Sequence, residues 1–181
     1  RLLLNVNLNG DKKLSLVEQT LFYHNPHHKS INKIKLLNWV SAYQKRKKPL
    51  LKRKGEDRKK DLYFAKDNQL GKLESLQYSY GSISAKILNK TQENILIPLS
   101  EPLESGKSIK LNLKYQIQLP DARFTGYGVD VNHILLKYFF LVPETYEDDS
   151  QNKSFYRDTE ATANAGSFWK VNFEIPTNWK I

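Results

Sequence analysis

The residue types that catalyse hydrolysis are sparse in this sequence of 181 residues. The chain contains no Cys, no Gly-x-Ser-x-Gly elbow for a serine nucleophile, and no His-Glu-x-x-His motif for a zinc-bound water. Gly106-Lys107-Ser108 matches only the end of a phosphate-binding loop, because Glu101 stands where the first glycine of that loop belongs. We therefore expect no catalytic residues within this chain.

Three of the four histidines, His24, His27 and His28, lie in one turn around Pro26. Imidazole nitrogens bind Zn²⁺ and Ni²⁺, yet a competent site requires three or four ligands, and no carboxylate or thiol is close in sequence. Acidic residues collect elsewhere, within residues 144–149, in a predicted loop. The sequence therefore predicts no metal site and no cofactor in this chain.

The net charge of +10 is concentrated in one segment. Residues 45–60 hold ten Lys or Arg against two acids, a net of +8, which leaves +2 for the rest of the chain. Such a run releases counterions from nucleic acid or anionic lipid, but single-strand recognition also uses aromatic platforms, and the run contains none. We expect nucleic acid not to be the partner and interpret the run as a solvated helix face. The alternative, a polyanion patch, would comprise Lys45, Arg46, Lys47, Lys48, Lys52, Arg53 and Lys54.

Alternation of apolar and polar residues with a period of two predicts β-strands along most of the chain. The clearest strand is residues 109–119, which predicts one face on the core and one face in water. Residues 2–8 show the same pattern, and Asn9-Gly10-Asp11 predicts a hairpin turn into a returning strand over residues 14–23. Further strands are predicted over residues 31–36, where a helix start fits equally well, and over 73–80, 82–88, 94–99, 134–142 and 171–175.

These eight or nine strands predict an all-β fold, an antiparallel β-sandwich or saddle. One minor helix is predicted over residues 49–65, with Leu51, Leu62 and Phe64 on a partly apolar face. Residues 134–142 are apolar on both parities apart from Lys137, which predicts a strand covered on both faces. With no linker or repeat, residues 1–181 are expected to form a single β-sandwich domain.

A membrane-spanning helix needs about 20 apolar residues, whereas the longest apolar run here has five, residues 138–142. We therefore expect no transmembrane segment in this chain. Arg123, Phe124 and Tyr127 form a polar-aromatic loop, which is a candidate contact with another domain; simple loop packing is the alternative interpretation.

Several segments, in order along the chain, resemble the N-terminal domain of the aminopeptidase N family of zinc metallopeptidases, particularly divergent members of the kind found in Bacteroidetes. Residues 21–25 (LFYHN) followed by 31–36 (INKIKL) resemble its strand ending in Tyr-x-Asn and the segment after it. Residues 95–99 (ILIPL), then 102–106 (PLESG) and 109–115, resemble its apolar strand, Pro-Leu-x-x-Gly turn and long alternating strand. This second stretch is the most specific.

The resemblance implies a noncatalytic N-terminal domain of a larger protein, which packs on its own downstream catalytic domain and walls the peptide-substrate cleft. In that family the catalytic domain holds Zn²⁺ through His-Glu-x-x-His and a later Glu, so zinc is expected in the parent protein and not in this chain. Residues 155–176 are loosely similar to the substrate-proximal region. Glu160 is the nearest candidate to hold the substrate's free amine, although the surrounding family pattern is not reproduced.

An extracytoplasmic location, periplasmic or at the cell surface, follows from the resemblance alone. Two other functions stay open from the residues. One is a stand-alone β-sandwich binding or adhesion module, which requires a closed polar surface and a ligand groove. The other is a polyanion-binding domain that uses the basic run, which predicts salt-dependent affinity.

Overall fold

The structure of the chain, a computed structural model, describes residues 1–9, 13–44, 48–87, 93–137, 139–144 and 167–179. Within these ranges the chain forms eleven β-strands and one α-helix, α1 (Pro49–Glu56). Short 3-10 turns lie at Trp39–Tyr43, Asp67–Gln69 and Ala122–Phe124. The strands are β1 (Leu2–Asn9), β2 (Leu14–His24), β3 (Ile31–Leu37), β4 (Lys72–Tyr80), β5 (Ile83–Lys86), β6 (Asn94–Leu103), β7 (Ser108–Gln118), β8 (Gly128–Val129), β9 (Ile134–Leu135), β10 (Val142–Pro143) and β11 (Trp169–Glu174).

The strands form two main sheets and a short ribbon. The larger sheet has six strands in the order β11-β1-β2-β7-β4-β5, the smaller has three in the order β10-β3-β6, and β8 pairs with β9. Among these described pairs, β1 with β11 is parallel and the others are antiparallel. The predicted all-β fold class with one minor helix is confirmed.

The core lies between the two main sheets. Alternate residues of neighbouring strands meet in register on the inner face: Val6 pairs with Val17, and Val17 pairs with Tyr115. All three are at most 1% exposed, as the alternating sequence predicts. The small sheet contributes Ile34 and Leu36 from β3 and Ile95 and Ile97 from β6 to the same hydrophobic cluster.

The small sheet resolves the ambiguity of residues 31–36, which form strand β3 and not a helix. Its neighbour β6 extends beyond the predicted residues 94–99 to Leu103 and includes Pro98 and Pro102. Proline, which lacks an N–H, is tolerated here because β6 is an edge strand of the described sheet. The Tyr80 hydroxyl joins the sheets, since it donates to the Pro98 carbonyl at 3.0 Å and accepts from the Ser100 N–H at 2.8 Å.

The prediction of one continuous strand over residues 134–142 is wrong. The segment supplies two-residue strands, β9 and β10, to different sheets, and Phe139 and Leu141 enter the core between them. The backbone of Leu141 is satisfied by side chains instead of a neighbouring strand: the Gln19 amide donates to its carbonyl at 2.6 Å, and the Tyr115 hydroxyl accepts from its N–H at 3.2 Å. Leu141 therefore packs in the core outside any strand, because the buried side chains of Gln19 and Tyr115 make the hydrogen bonds that a neighbouring strand would otherwise make with its backbone.

The predicted helix over residues 49–65 is also wrong in length, because α1 ends at Glu56. Its last turn contains Gly55, a poor helix former, and the chain then leaves the helix at Arg58, whose φ of 59° is in the left-handed region. Leu62 is buried, but Phe64, predicted to share its apolar face, is 72% exposed. The two side chains lie in a turn after α1, where helical periodicity no longer applies.

Two buried tyrosines are expected to make the fold sensitive to alkali. Burial raises the pKa of Tyr43 from 10.0 to about 12, in spite of its hydrogen bond with Thr125, and burial raises the pKa of Tyr115 as well. The phenolate is therefore favoured in the unfolded chain, so the stabilisation is complete below pH 10 and is lost as the pH rises towards the folded-state pKa. Each tyrosine is expected to lower the unfolding free energy by up to about 1.4 kcal/mol per pH unit above pH 10.

Urea unfolding between pH 8 and pH 11.5 measures this dependence. Tyr43→Phe is the informative comparison, because it removes one buried phenol and leaves every other titratable group of the chain in place. The variant is expected to show a shallower fall above pH 10, whereas an identical slope in both proteins would contradict this role for Tyr43.

Candidate functional site

The most unusual surface in the described part of the chain is the edge strand β11. It pairs with β1 on one side, in the register Leu2 with Trp169, Leu4 with Val171 and Val6 with Phe173. In-register partners share a face of the sheet, so these β11 side chains point to the core side. On its other side β11 has no partner strand among the described residues, so its N–H and C=O groups present a template for another strand.

Two core-side residues of β11 are nevertheless exposed. Leu2, Leu4 and Val6 are each 1% exposed, whereas Trp169 and Phe173, the partners of Leu2 and Val6, are 41% and 38% exposed. Val171, between these two rings, is partly buried against the core. Within the described residues, the core is therefore covered less completely at β11 than at β1. The sequence predicted correctly that Val171 and Phe173 alternate in a strand, but a local pattern does not show where the opposing layer ends.

The outer face of the six-stranded sheet forms a second feature, an open groove of about 570 Å³. One row of polar residues crosses it in register, from Asn172 on β11 through Asn5, Glu18 and Lys114 to Gln77 on β4. The Asn172 amide donates to Asn5 Oδ1 at 2.8 Å, and Lys114 Nζ donates to Glu18 Oε1 at 2.8 Å. The groove is thus a polar surface with cross-strand order.

Aromatic side chains flank this face beyond its polar rows. Phe22 is 39% exposed and Phe168 is 63% exposed. The Arg1 guanidinium lies 5.9 Å from the first ring and 5.3 Å from the second, and Lys110 Nζ lies 6.0 Å from Phe22. Cations over aromatic faces partly compensate for the exposure of the rings.

The loop predicted as an interdomain contact has a mixed environment. Phe124 is 4% exposed and belongs to the core, so its ring is covered within this chain. Arg123 is exposed and its guanidinium lies 5.1 Å from the Phe124 ring. Tyr127 is partly buried and accepts a 2.8 Å hydrogen bond from Lys137 Nζ. An interdomain role for this loop stays a prediction, and Arg123 and Tyr127 are the members with accessible surface.

The basic run is described in part. Lys45, Arg46 and Lys47 lie outside the described residues, as does Glu160. Lys52 and Arg53 are exposed on α1, where Arg53 Nε lies 3.7 Å from Asp57 Oδ2. Partial burial lowers the pKa of Lys48, against the opposing effect of Glu93, and partial burial with the charge of Lys59 lowers the pKa of Lys54. Several cationic side chains therefore lie close together on α1 and in the segment that follows it.

The histidine turn contains no cluster of ligands. His24 is exposed and its Nδ1 lies 3.2 Å from Ser108 Oγ, while the Asn25 amide organises the turn by donating to the carbonyls of Lys29 and Leu103 at 3.0 and 2.9 Å. In the part of the chain that the structure describes, no three His, Asp or Glu side chains converge on a point that would hold a metal ion. No helix in that part is long and apolar enough to cross a bilayer.

Comparison with known proteins adds no relative to this description. No protein-family model matches the chain, and no curated protein shows significant sequence similarity to it. We therefore infer the function of the chain from the surfaces described above and from the resemblance of several segments to the N-terminal domain of the aminopeptidase N family.

Proposed function

We propose that this chain is the noncatalytic N-terminal domain of an aminopeptidase N-like zinc metallopeptidase, which packs on the catalytic domain and walls its substrate cleft. The observation that carries the docking part is the edge strand β11, which among the described residues has no partner strand on one side and presents two exposed core-side rings. An isolated domain of this kind should expose an apolar surface that its partner covers, and Trp169 and Phe173 supply one.

The edge offers both components of a strand-mediated interface. The backbone groups of β11 that face no partner strand among the described residues provide hydrogen bonds to an added strand, and the core-side rings provide apolar area that an opposing layer would bury. Trp and aromatic side chains contribute disproportionately to interface energies. Lys170, Asn172 and Glu174 alternate with these rings on the outer face and would form the polar rim.

In this proposal the chemistry belongs to the catalytic domain. The zinc ion and its ligands lie there, and the contribution of this chain is to bound the cleft. Glu160 stays the candidate for the substrate's free amine, and its position in the sequence is shortly before β11. The proposal also places the protein outside the cytoplasm, in the periplasm or at the cell surface.

Replacing both core-side rings tests the docking surface. With this chain and the catalytic domain produced as separate polypeptides, W169A/F173A is expected to weaken their association at least about tenfold, because it removes two aromatic anchors. The stability of the isolated domain should change by no more than about 1 kcal/mol for each ring, since both are already substantially exposed. Calorimetric titration measures the first effect and urea unfolding the second.

The matched control is F64A, which removes a ring that is 72% exposed in the turn after α1, away from β11 in the sequence. It should leave the association unchanged. Equal affinities for wild type and W169A/F173A would contradict docking through β11.

The groove on the outer face favours a second candidate, a stand-alone β-sandwich binding module. Such a module requires a closed polar surface and a ligand groove, and the row from Asn172 to Gln77 lies in an open polar groove. The two candidates differ in the state of β11. A chain that retains an exposed β11 edge in the intact protein favours the binding module, whereas a covered edge favours docking.

A further inference from the structure

The turn after α1 presents the two most exposed aromatic rings of the basic region. Tyr63 is 64% exposed and Phe64 is 72% exposed, and their rings make an edge-to-face contact with centroids 5.0 Å apart. Exposing two adjacent rings to water costs free energy in proportion to their apolar area. Such a pair therefore indicates a surface that binds a partner molecule or a membrane.

The turn is anchored on both sides of the rings and is therefore preformed. Leu62 is 1% exposed and Ala65 is fully buried. The Lys60 carbonyl accepts from the N–H groups of Tyr63 and Phe64 at 3.0 and 3.2 Å. The core holds the residues that flank the rings, so the backbone that carries Tyr63 and Phe64 is already ordered before binding.

Cationic residues closely precede this aromatic pair in the chain. The Lys59 N–H donates to the Lys54 carbonyl at 2.8 Å, which brings the basic turn back onto the basic helix. The described segment 48–61 has seven Lys or Arg and three acids, a net of +4. Its exposed cations are Lys52, Arg53, Arg58, Lys59 and Lys60. The exposed Arg53–Asp57 contact, at 3.7 Å, neutralises little of this charge.

We propose that Tyr63, Phe64 and the cations that precede them in the chain form a binding site for an anionic membrane surface, with the two rings inserted at the headgroup level and the lysines and arginines against the lipid phosphates. Aromatic rings favour this interfacial depth, and clustered Lys and Arg add electrostatic attraction to anionic lipids. The site is independent of the docking role of β11 and does not require it.

The shape of the site favours a bilayer over a nucleic acid. Single strands bind in basic grooves where successive bases stack on ring faces. Here the two rings are inclined at 83°, so they do not offer parallel platforms to consecutive bases, and their exposure shows that they project from the surface. Two projecting aromatic rings that follow several cationic residues are complementary to an anionic bilayer, which has an apolar interior below a negatively charged headgroup layer.

Vesicle sedimentation tests the site. The chain is mixed with vesicles of phosphatidylglycerol and phosphatidylcholine, or of phosphatidylcholine alone. We expect binding to the anionic vesicles that weakens with added salt, and little binding to the neutral ones. Y63S/F64S is expected to reduce the partition coefficient about tenfold or more, because it removes the inserted area. K59Q/K60Q is expected to reduce it about 25-fold, at about fivefold for each cation.

Two matched variants control for composition and net charge. F168S removes another exposed ring, and K29Q/K33Q removes two exposed lysines that precede the basic run. Both should bind anionic vesicles within about twofold of wild type if the site is local. Thermal unfolding by circular dichroism confirms that every variant is folded. Equal losses in the control and site variants would overturn the proposal, since they would show attraction by overall charge.

A labelled oligothymidylate supplies the competing outcome. Binding to this single strand that is lost in K59Q/K60Q, together with no binding to anionic vesicles, would replace the membrane with nucleic acid and overturn the proposal. Vesicle binding that depends on both the rings and the local cations supports it.

Discussion

Replacing Tyr115 by Phe is expected to lower the free energy of unfolding by about 3 kcal/mol, because it leaves two buried polar groups without their partner. The Tyr115 hydroxyl donates to Gln19 Oε1 at 2.6 Å and accepts from the Leu141 N–H at 3.2 Å. Tyr115 is fully buried and Gln19 and Leu141 are each 2% exposed, so water does not readily replace the lost bonds. Urea unfolding at neutral pH measures the change.

Tyr78→Phe is the matched control on the adjacent strand. Tyr78 packs into the same core at 7% exposure, but no partner for its hydroxyl is described. Its loss should change stability by less than about 1 kcal/mol. If the two Tyr-to-Phe variants were equally stable, the hydrogen bonds of the Tyr115 hydroxyl with Gln19 and Leu141 would not stabilise the fold as described.

The second large effect is expected at Gly128, where Ala should destabilise the fold by at least about 3 kcal/mol. Gly128 has a φ of +122°, which side-chain-bearing residues rarely adopt. A Cβ at this position would lie 2.1 Å from the Pro120 carbonyl oxygen. That oxygen is fixed, because it accepts a hydrogen bond from the Val129 N–H at 2.9 Å.

Gly126→Ala separates the two causes. Gly126 also has a positive φ, +83°, but a Cβ there would meet no atom within 4 Å. The variant carries only the backbone cost, about 1–2 kcal/mol. Thermal unfolding of both variants compares them, and a Gly128→Ala protein as stable as the Gly126→Ala protein would rule out the clash with Pro120.

The sequence predicted the strands well wherever one face of the strand is wet. Residues 109–119 alternate without interruption, and the structure places residues 109–118 in β7, an inner strand of the large sheet, with alternate residues buried. Hairpin chemistry likewise predicted that β1 and β2 pair antiparallel. In both cases local pattern and tertiary environment impose the same period, so the prediction did not depend on distant contacts.

The failures share a dependence on distant contacts. Residues 134–142 lack polar alternation. Within the described residues, the Gln19 amide donates to the Leu141 carbonyl and the Tyr115 hydroxyl accepts from the Leu141 N–H, which shows why no continuous strand forms there. Both partners are more than 20 residues away in sequence. The sequence predicts a helix that continues past Gly55, because the residues beyond it remain partly apolar, whereas α1 ends at Glu56. A left-handed residue such as Arg58 has no reliable signal in one sequence.

The candidate surfaces were harder to predict than the fold. Trp169 and Phe173 belong to a predicted strand or border it, but their exposure depends on where the second layer stops. Aromatic rings lie just beyond the basic run, since Tyr63 follows Lys60 by three residues. Tyr63-Phe64 after Arg58-Lys59-Lys60 is the sequence signal for this surface.

The two exposed aromatic surfaces support two separate proposals. Among the described residues, β11 offers an unpaired strand edge together with its rings, which suits the addition of a protein layer. The turn after α1 offers rings and cations without a strand edge, which suits a charged interface. Variants at one surface therefore serve as controls for the other.

We propose that this chain supports a zinc-containing catalytic domain. The most direct test is to sequence the gene downstream of Ile181 and read it in the same frame. The proposal predicts that the frame continues into a domain with His-Glu-x-x-His and a later Glu that complete a zinc site. A stop codon at that point, or an unrelated domain, would contradict the proposal and leave the β-sandwich as a binding module.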